Sequence, residues 1–334
     1  MLLGRAEVEA TRGGSIAQVL RLKKEISKLL VREEQMWNQR SRSLWLQGDN
    51  NTRYFHSRAS HRFRRNRTDS LEDANGEKCS DEDGVANILI DYYQQLFTSS
   101  NPSMIEAMVD QIPCSINDEM DGELLADFTR EEVVVALKQM DPLKAPGSDG
   151  LPPLFFQHYW HSVGEDVTEA MLSCLSTGVI SPSINHIFIT LILKAKSPTK
   201  VYKFRPISLC YIIYKLVSKV VANKMKGLLS HIISDYQSAF QSDKAISDNI
   251  LVAFKTLHHM KNQKAKKGGF MALKLDLSKV YDRVEWRFLE LTMRKMGFCK
   301  QWVDLIMSCI GSASYQILVN GVPKGDIRPT RGIR

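Results

Sequence analysis

The residue in this sequence best placed to do chemistry is an aspartate where a strand hands over to a helix. It lies in Gly268-Gly269-Phe270-Met271-Ala272-Leu273-Lys274-Leu275-Asp276-Leu277-Ser278-Lys279-Val280-Tyr281-Asp282-Arg283-Val284-Glu285-Trp286. Phe270–Leu275 reads as a strand with one side well buried. After it Val280, Val284, Phe288 and Leu291 fall at helical spacing. Asp276 sits at the junction. A carboxylate at the end of a strand lies at the mouth of a sheet, where metal ions and phosphates reach it, and hard divalent cations prefer carboxylate oxygen. Two such cations about 4 Å apart can clamp the attacking and leaving oxygens of a phosphoryl transfer. The same residue type also caps helices, and a helix opening at Ser278 would use Asp276 in that way. One aspartate does not make a metal site.

A second cluster is basic and aromatic. Thr52–Arg67 places Arg53, Arg58, Arg62, Arg64, Arg65 and Arg67 among Tyr54, Phe55, His56, His61 and Phe63. Rings can stack on bases while guanidiniums meet phosphates. A basic amphipathic helix lying on its own protein has the same composition. The charge along the chain repeats this choice. Residues 1–70 carry net +8, residues 71–141 net −14 and residues 142–334 net +14, for a total of +8. Basic blocks attract polyanions, nucleic acid above all. A surface whose two signs pair within the fold is the alternative.

The elements that must position these residues are legible in outline. Residues 16–46 have helical apolar spacing, and Trp45–Asn51 is rich in turn residues. Asn75-Gly76 marks a hairpin turn, and Val85–Phe97 is helical. Thr129 with Glu132 forms a capping box for a helix that ends before Asp141-Pro142. Lys144–Gly150 is a turn-rich loop. A helix follows around Phe155–Thr177, then the β-branched strand Ile187–Leu193 and the basic loop Lys194–Lys203. Helices are expected over Tyr211–Leu229 and Ala245–Met260, with a basic loop at Lys261–Gly269. Three regions follow from charge and pattern: 1–70, basic and helical; 71–141, acidic and mostly helical; and 142–334, which contains the aspartate.

Composition narrows the class. Of the 334 residues 43% are hydrophobic and 25% charged, as in globular proteins. No apolar run reaches membrane-spanning length, and Met1-Leu2-Leu3-Gly4-Arg5-Ala6-Glu7 does not read as a secretory signal. Six scattered cysteines with no C-x-x-C pair argue against a disulfide scaffold or zinc finger and fit a reducing, intracellular setting.

Several blocks together resemble a known family. Leu273 to Trp286 resembles the first catalytic motif of reverse transcriptases from LINE-type non-LTR retrotransposons. Trp45–His56 resembles that family's segment between endonuclease and polymerase. Lys144-Ala145-Pro146-Gly147-Ser148-Asp149-Gly150 resembles its first polymerase block, and Phe204-Arg205-Pro206-Ile207-Ser208-Leu209-Cys210 its fingers motif. Asp235–Phe240 with Ile246–Leu251 resembles the next block, and Asn320-Gly321 through Arg328–Arg334 the approach to the following one. The blocks keep the family's order over residues 45–334.

The resemblance implies an α/β (α+β) fold, the fingers and partial palm of a right-hand polymerase, preceded by a mostly helical linker region. It implies RNA-directed DNA synthesis, in which a primer 3′-hydroxyl attacks a deoxynucleotide with two Mg²⁺ ions. The partners are then an RNA template, a DNA primer and deoxynucleoside triphosphates. The setting is a ribonucleoprotein, nuclear or cytoplasmic, with no membrane. Asp276 is the implied catalytic and metal-binding carboxylate, and the Leu277 carbonyl a second metal contact. Tyr281 is the implied ring that rejects a 2′-hydroxyl. Arg205, with Lys194 beside it and Lys196 and Lys203 as further companions, meets the triphosphate. Asp282 matches a position without an assigned role.

Departures accompany the match. Gln241-Ser242-Asp243-Lys244 stands where the family has Val-Pro-Gly-Arg, Val280 replaces alanine, and Leu193 and Ser148 replace prolines. Together they suggest relaxed selection. No two adjacent aspartates occur, although the family carries such a pair downstream. The expectation is a truncated polymerase that is inactive alone. A nucleic-acid-binding remnant and a non-functional fragment are the alternatives.

Overall fold

The computed structural model describes Ala6 and residues 16–41, 52–234, 236–238, 244–262 and 270–333. The turn expected at Trp45–Asn51, most of Gln241–Lys244, Asp235, Ala239, Phe240 and most of the loop Lys261–Gly269 lie outside the described residues. The chain divides into two compact units, Met1–Asp69 and Ser70–Arg334.

The first unit contains α1 (Ile16–Ser41) and α2 (Thr52–Asn66). The helical spacing from residue 16 thus stops at Ser41 within the described residues. Trp37 of α1 lies against His56 of α2 with ring centroids 3.8 Å apart, and Phe55 is fully buried. Much of α1's apolar stripe, including Ile16, Leu20, Leu29 and Leu30, is exposed.

The second unit opens with the short hairpin β1 (Leu71–Glu72) and β2 (Lys78–Cys79), turned at Gly76 with φ +87°. Next come α3 (Glu82–Phe97), α4 (Ile105–Val109), α5 (Asp118–Leu125) and α6 (Arg130–Lys138). Asp81 caps α3 by accepting from the Gly84 amide. Thr129 and Glu132 form the expected capping box on α6. The helix expected over Phe155–Thr177 breaks at Tyr159 into α7 (Pro153–His158) and α8 (Trp160–Thr177). Then follow β3 (His186–Leu193), β4 (Phe204–Leu209), α9 (Ile212–Lys226), α10 (Leu229–Ile232), α11 (Ile246–Asn262), α12 (Val280–Arg283), α13 (Trp286–Met296), α14 (Lys300–Gly311), β5 (Ser314–Val319) and β6 (Val322–Ile327).

The four longer strands form one sheet in the order β4-β3-β5-β6. β3 pairs antiparallel with β4 and parallel with β5, and β5 pairs antiparallel with β6. Alternation puts Ile187 and Ile189 of β3 beside Tyr315 and Ile317 of β5, all buried. The core also takes Leu89, Tyr93 and Phe97 from α3, Leu216, Val217 and Val220 from α9, and Trp302 and Val303 from α14. Phe97 meets Tyr315 edge-on at 4.9 Å. A polar tie closes the interior. Fully buried Asn185 donates to the Cys309 carbonyl and the Ser312 hydroxyl, both at 2.9 Å. The Tyr214 hydroxyl donates to the same Cys309 carbonyl at 2.7 Å. Burial raises the Tyr214 pKa and lifts that of the Cys309 thiol to about 11.

The architecture is the mixed α/β fold expected. Thr129→Ala removes one half of the capping box and should cost about 1 kcal/mol, read as a lower midpoint in urea unfolding with an unchanged slope.

Candidate functional site

The expected strand at Phe270–Leu275 does not form. Residues 270–277 have no regular secondary structure, and no strand among the described residues pairs with them. A strand holds its backbone polar groups only against a neighbour, so propensity alone does not make one. Met271, Leu273, Leu275 and Leu277 are consequently exposed. Asp276 is exposed too, and has no hydrogen-bond or ion-pair partner among the described residues. The helix after it starts at Val280 rather than Ser278, behind Lys279 in the left-handed region at φ +55°, so Asp276 does not cap it.

Past that point the chain becomes tightly held. The Tyr281 side chain is about half exposed while its backbone carbonyl accepts from the Ile333 amide at 2.8 Å. Asp282 is buried. Gly332 donates to the Val284 carbonyl at 2.8 Å, and its own carbonyl accepts from the Trp286 indole at 2.8 Å. Gly332 has φ +90°, and a Cβ there would stand 2.9 Å from the Asp282 carbonyl oxygen.

Glu285 and Arg331 form a sheltered ion pair, at 3.3 Å, with side chains 13% and 15% exposed. Glu285 accepts from the Ser99 hydroxyl at 2.5 Å, the Ser100 amide at 3.2 Å and the Ser100 hydroxyl at 3.1 Å. Burial alone would raise the Glu285 pKa; hydrogen bonds from Ser99, Ser100 and Arg331 outweigh it and hold the carboxyl below its usual range.

Lys194 closes the mouth of the β3–β4 hairpin. Its amide donates to the Lys203 carbonyl at 2.9 Å and its ammonium to the Tyr202 carbonyl at 3.0 Å. Burial pushes the Tyr92 phenol above its usual range, with Arg283 and Lys194 opposing the rise and Asp282 adding to it. Lys279 of the turn after the Asp276 stretch also hydrogen-bonds the Tyr92 hydroxyl. Arg205 projects from β4, exposed, opposite Ile192.

The loop 144–150 packs on the start of α9. A Cβ on Gly147 would stand 2.6 Å from the Tyr211 nitrogen. Lys215 donates to the Ala145 carbonyl at 2.8 Å. Ser148, a departure from the family pattern, donates to the Tyr211 hydroxyl at 2.5 Å, so here the substituted residue has a partner.

In the first unit, Arg53, Arg58, Arg64 and Arg65 of α2 are exposed, with Arg58 5.9 Å from the Tyr54 ring centre. Arg62 is half-buried, and Arg67 is exposed and pairs with Asp69 at 3.1 Å.

Sequence reasoning missed two features. The β5–β6 hairpin was signalled by Asn320-Gly321, both in the left-handed region at φ +51° and +94°, as a tight hairpin turn requires. The seat of the Tyr281 turn on α3 had no such signal, because its partners lie up to 236 residues apart.

Residues 192–328 match the family described as reverse transcriptase (RNA-dependent DNA polymerase). That match takes in β4, the Asp276 stretch, the Tyr281 turn and the β5–β6 hairpin. The chain is 26% identical over 290 residues to the transposon TX1 uncharacterized 149 kDa protein of Xenopus laevis, covering 86% of this chain and 22% of that protein. It is 22% identical over 250 residues to the retrovirus-related Pol polyprotein from the type-2 retrotransposable element R2DM of Drosophila melanogaster, covering 74% of this chain and 22% of that protein. Both relatives are named as products of transposable elements. The chain spans about a fifth of the length of these curated relatives.

Reverse transcriptases generally use a divalent metal. The described residues do not assemble a site for one. Asp276 stands alone, and no three His, Cys, Asp or Glu side chains among them converge to hold an ion. No helix among the described residues is long and apolar enough to cross a membrane.

Two outcomes follow from this geometry. Gly147→Ala should destabilise the second unit by about 1–3 kcal/mol, because the clash is with backbone that cannot swing away; urea unfolding measures it. The lowered Glu285 pKa means its stabilising contribution is present above the ordinary carboxylate range and is lost as pH falls through the folded-state value. The melting temperature of Glu285→Gln should therefore lie below wild type at pH 7, with the gap narrowing on acidification.

Proposed function

We propose that this chain is the nucleic-acid-holding part of an RNA-directed DNA polymerase encoded by a retrotransposon, comprising the linker region, the fingers and part of the palm. The family match over residues 192–328 carries this reading. The sheet supports it by setting Lys194 and Arg205 on one antiparallel hairpin. Arg205 then meets the deoxynucleotide triphosphate, for which a guanidinium fork is suited, and Lys194 assists. Tyr281 stands beside the sugar as a flat wall that admits hydrogen and rejects oxygen. The exposed Arg53, Arg58, Arg64 and Arg65, with Arg62 and Arg67, hold template or primer phosphates. In a complete site Asp276 and the Leu277 carbonyl contribute oxygens to Mg²⁺. We take the three regions 1–70, 71–141 and 142–334 as its functional subdivisions, and a nuclear or cytoplasmic ribonucleoprotein as its setting.

Asp276 without companion carboxylates favours a second reading for these residues alone: binding without chemistry. Hard cations need several shared oxygen ligands. The 334-residue chain should accordingly give no Mg²⁺-dependent extension of a DNA primer on an RNA template. Robust extension abolished by Asp276→Ala would refute this. RNA binding should weaken steeply with salt. Reversing Arg58 and Arg64 to Glu should lower affinity about tenfold or more by filter binding, and Asp276→Ala should leave it unchanged.

A further inference from the structure

The turn that carries Tyr281 is fastened to one helix by three independent anchors. Lys279, in its left-handed conformation, lays its ammonium 4.3 Å from the Tyr92 ring centre and hydrogen-bonds the Tyr92 hydroxyl. One turn of helix further on, Arg331 donates from Nε to the Leu96 carbonyl at 2.8 Å and from Nη2 to the Gln95 carbonyl at 3.3 Å. Its backbone amide also reaches the Phe97 carbonyl at 3.1 Å. These are last-turn carbonyls of α3, which have no partner within the helix and attract a cation. Just past the helix, Ser99 and Ser100 take Glu285, and Thr330 ties back through its amide to Phe97 and its hydroxyl to the Ser99 amide at 2.7 Å.

Tyr92 and Gln95–Leu96 lie one turn apart on α3, and Ser99–Ser100 follow directly after its end. Arg331 is the hub, since its remaining guanidinium nitrogen holds Glu285. The flanking backbone then passes the constraint on, through Gly332 to Val284 and Ile333 to Tyr281.

We propose that Glu285 and Arg331 are positioning residues for Tyr281, acting through the 280–286 turn, and that α3 with Ser99-Ser100 is the rigid seat against which that part of the nucleotide pocket is set. The link to the pocket rests on the reading of Tyr281 beside the sugar. Neither the seat nor Arg331 lies within the family match at residues 192–328. A polymerase domain cut at those bounds would keep Glu285 but lose Arg331 and the α3 seat that hold it. A purely structural role, the capping of α3, would give Arg331 the same carbonyl contacts but would leave the turn indifferent to Glu285.

Hydrogen exchange on the full 334-residue chain separates these outcomes. Arg331→Ala and Glu285→Gln should each speed exchange of amides in 280–286 by about tenfold or more, with the sheet amides of 186–193 and 314–319 unchanged. Arg331→Lys, which keeps the charge and loses the fork, should fall between and guards against a variant that fails to fold. Trp286 emission should shift to the red in parallel as its hydrogen bond to Gly332 loosens. Uniform acceleration across the unit, loosening confined to α3, or an unchanged turn would each overturn the proposal.

A second arm compares binding of dATP and ATP. Arg331→Ala should weaken any preference for dATP as Tyr281→Ala does; a change in Tyr281→Ala alone overturns the link between clasp and pocket. If the turn loosens but Tyr281→Ala leaves that preference unmoved, or neither nucleotide binds, the sugar-wall reading fails and the positioning of the turn stands.

Discussion

The parallel pairing of β3 with β5 is the constraint from which the second unit takes its form. Parallel neighbours cannot be joined by a tight turn. The chain must leave the sheet after β3, make the antiparallel return of β4, and then travel from Cys210 to Ala313 before it can enter β5. Everything between, including α9, the Asp276 stretch and α14, belongs to that excursion. The buried rungs Ile187–Tyr315 and Ile189–Ile317 require helices over them, and α3, α9 and α14 supply the cover. The Asn185–Cys309–Tyr214 tie sits where the excursion rejoins the sheet, so the end of α14 is fixed against the start of β3 by polar as well as apolar contacts.

Against this frame the candidate site has two kinds of residue. Lys194 and Arg205 are carried by a hydrogen-bonded hairpin, and the Tyr281 turn is bound to α3 and to the strand-like segment 330–333. Their position is over-determined. Asp276 and Leu277 belong to a stretch without secondary structure and with no paired strand among the described residues. Pre-organisation of a phosphoryl-transfer site depends on fixed oxygen ligands, and those two residues acquire it only if something pairs with 270–277. The contrast within a few residues separates side chains that the fold holds in place from side chains that no neighbouring element holds.

Local signals were legible and non-local ones were not. The capping residue Thr129 announced its helix, and the β-branched run Ile187–Leu193 announced β3, because caps and short apolar runs are properties of a few adjacent residues. Phe270–Leu275 has the same local character as β3 but lacks a neighbouring strand, and strand formation is decided there. The family blocks pointed to Lys194, Arg205 and Tyr281, and the structure sets Lys194 and Arg205 on the β3–β4 hairpin and Tyr281 on the turn that follows Lys279. The clasp escaped because Tyr92 reads as one more apolar position on an amphipathic helix, and Glu285 and Arg331 as surface charges, until the fold brings them together.

The outer strand of the sheet bears on how such a domain stays in solution. β4 lies at the edge, and Pro206 stands within it. A proline has no amide hydrogen to offer, so a strand from another molecule seeking to extend the sheet meets a break in the ladder, with the charge of Arg205 beside it. At the opposite edge β6 lies under α3, where Gly325 leaves room for Ile90. Both margins of the sheet are thereby poor templates for intermolecular β-pairing, and the liability to self-association falls instead on the bare apolar stretch from Phe270 to Leu277.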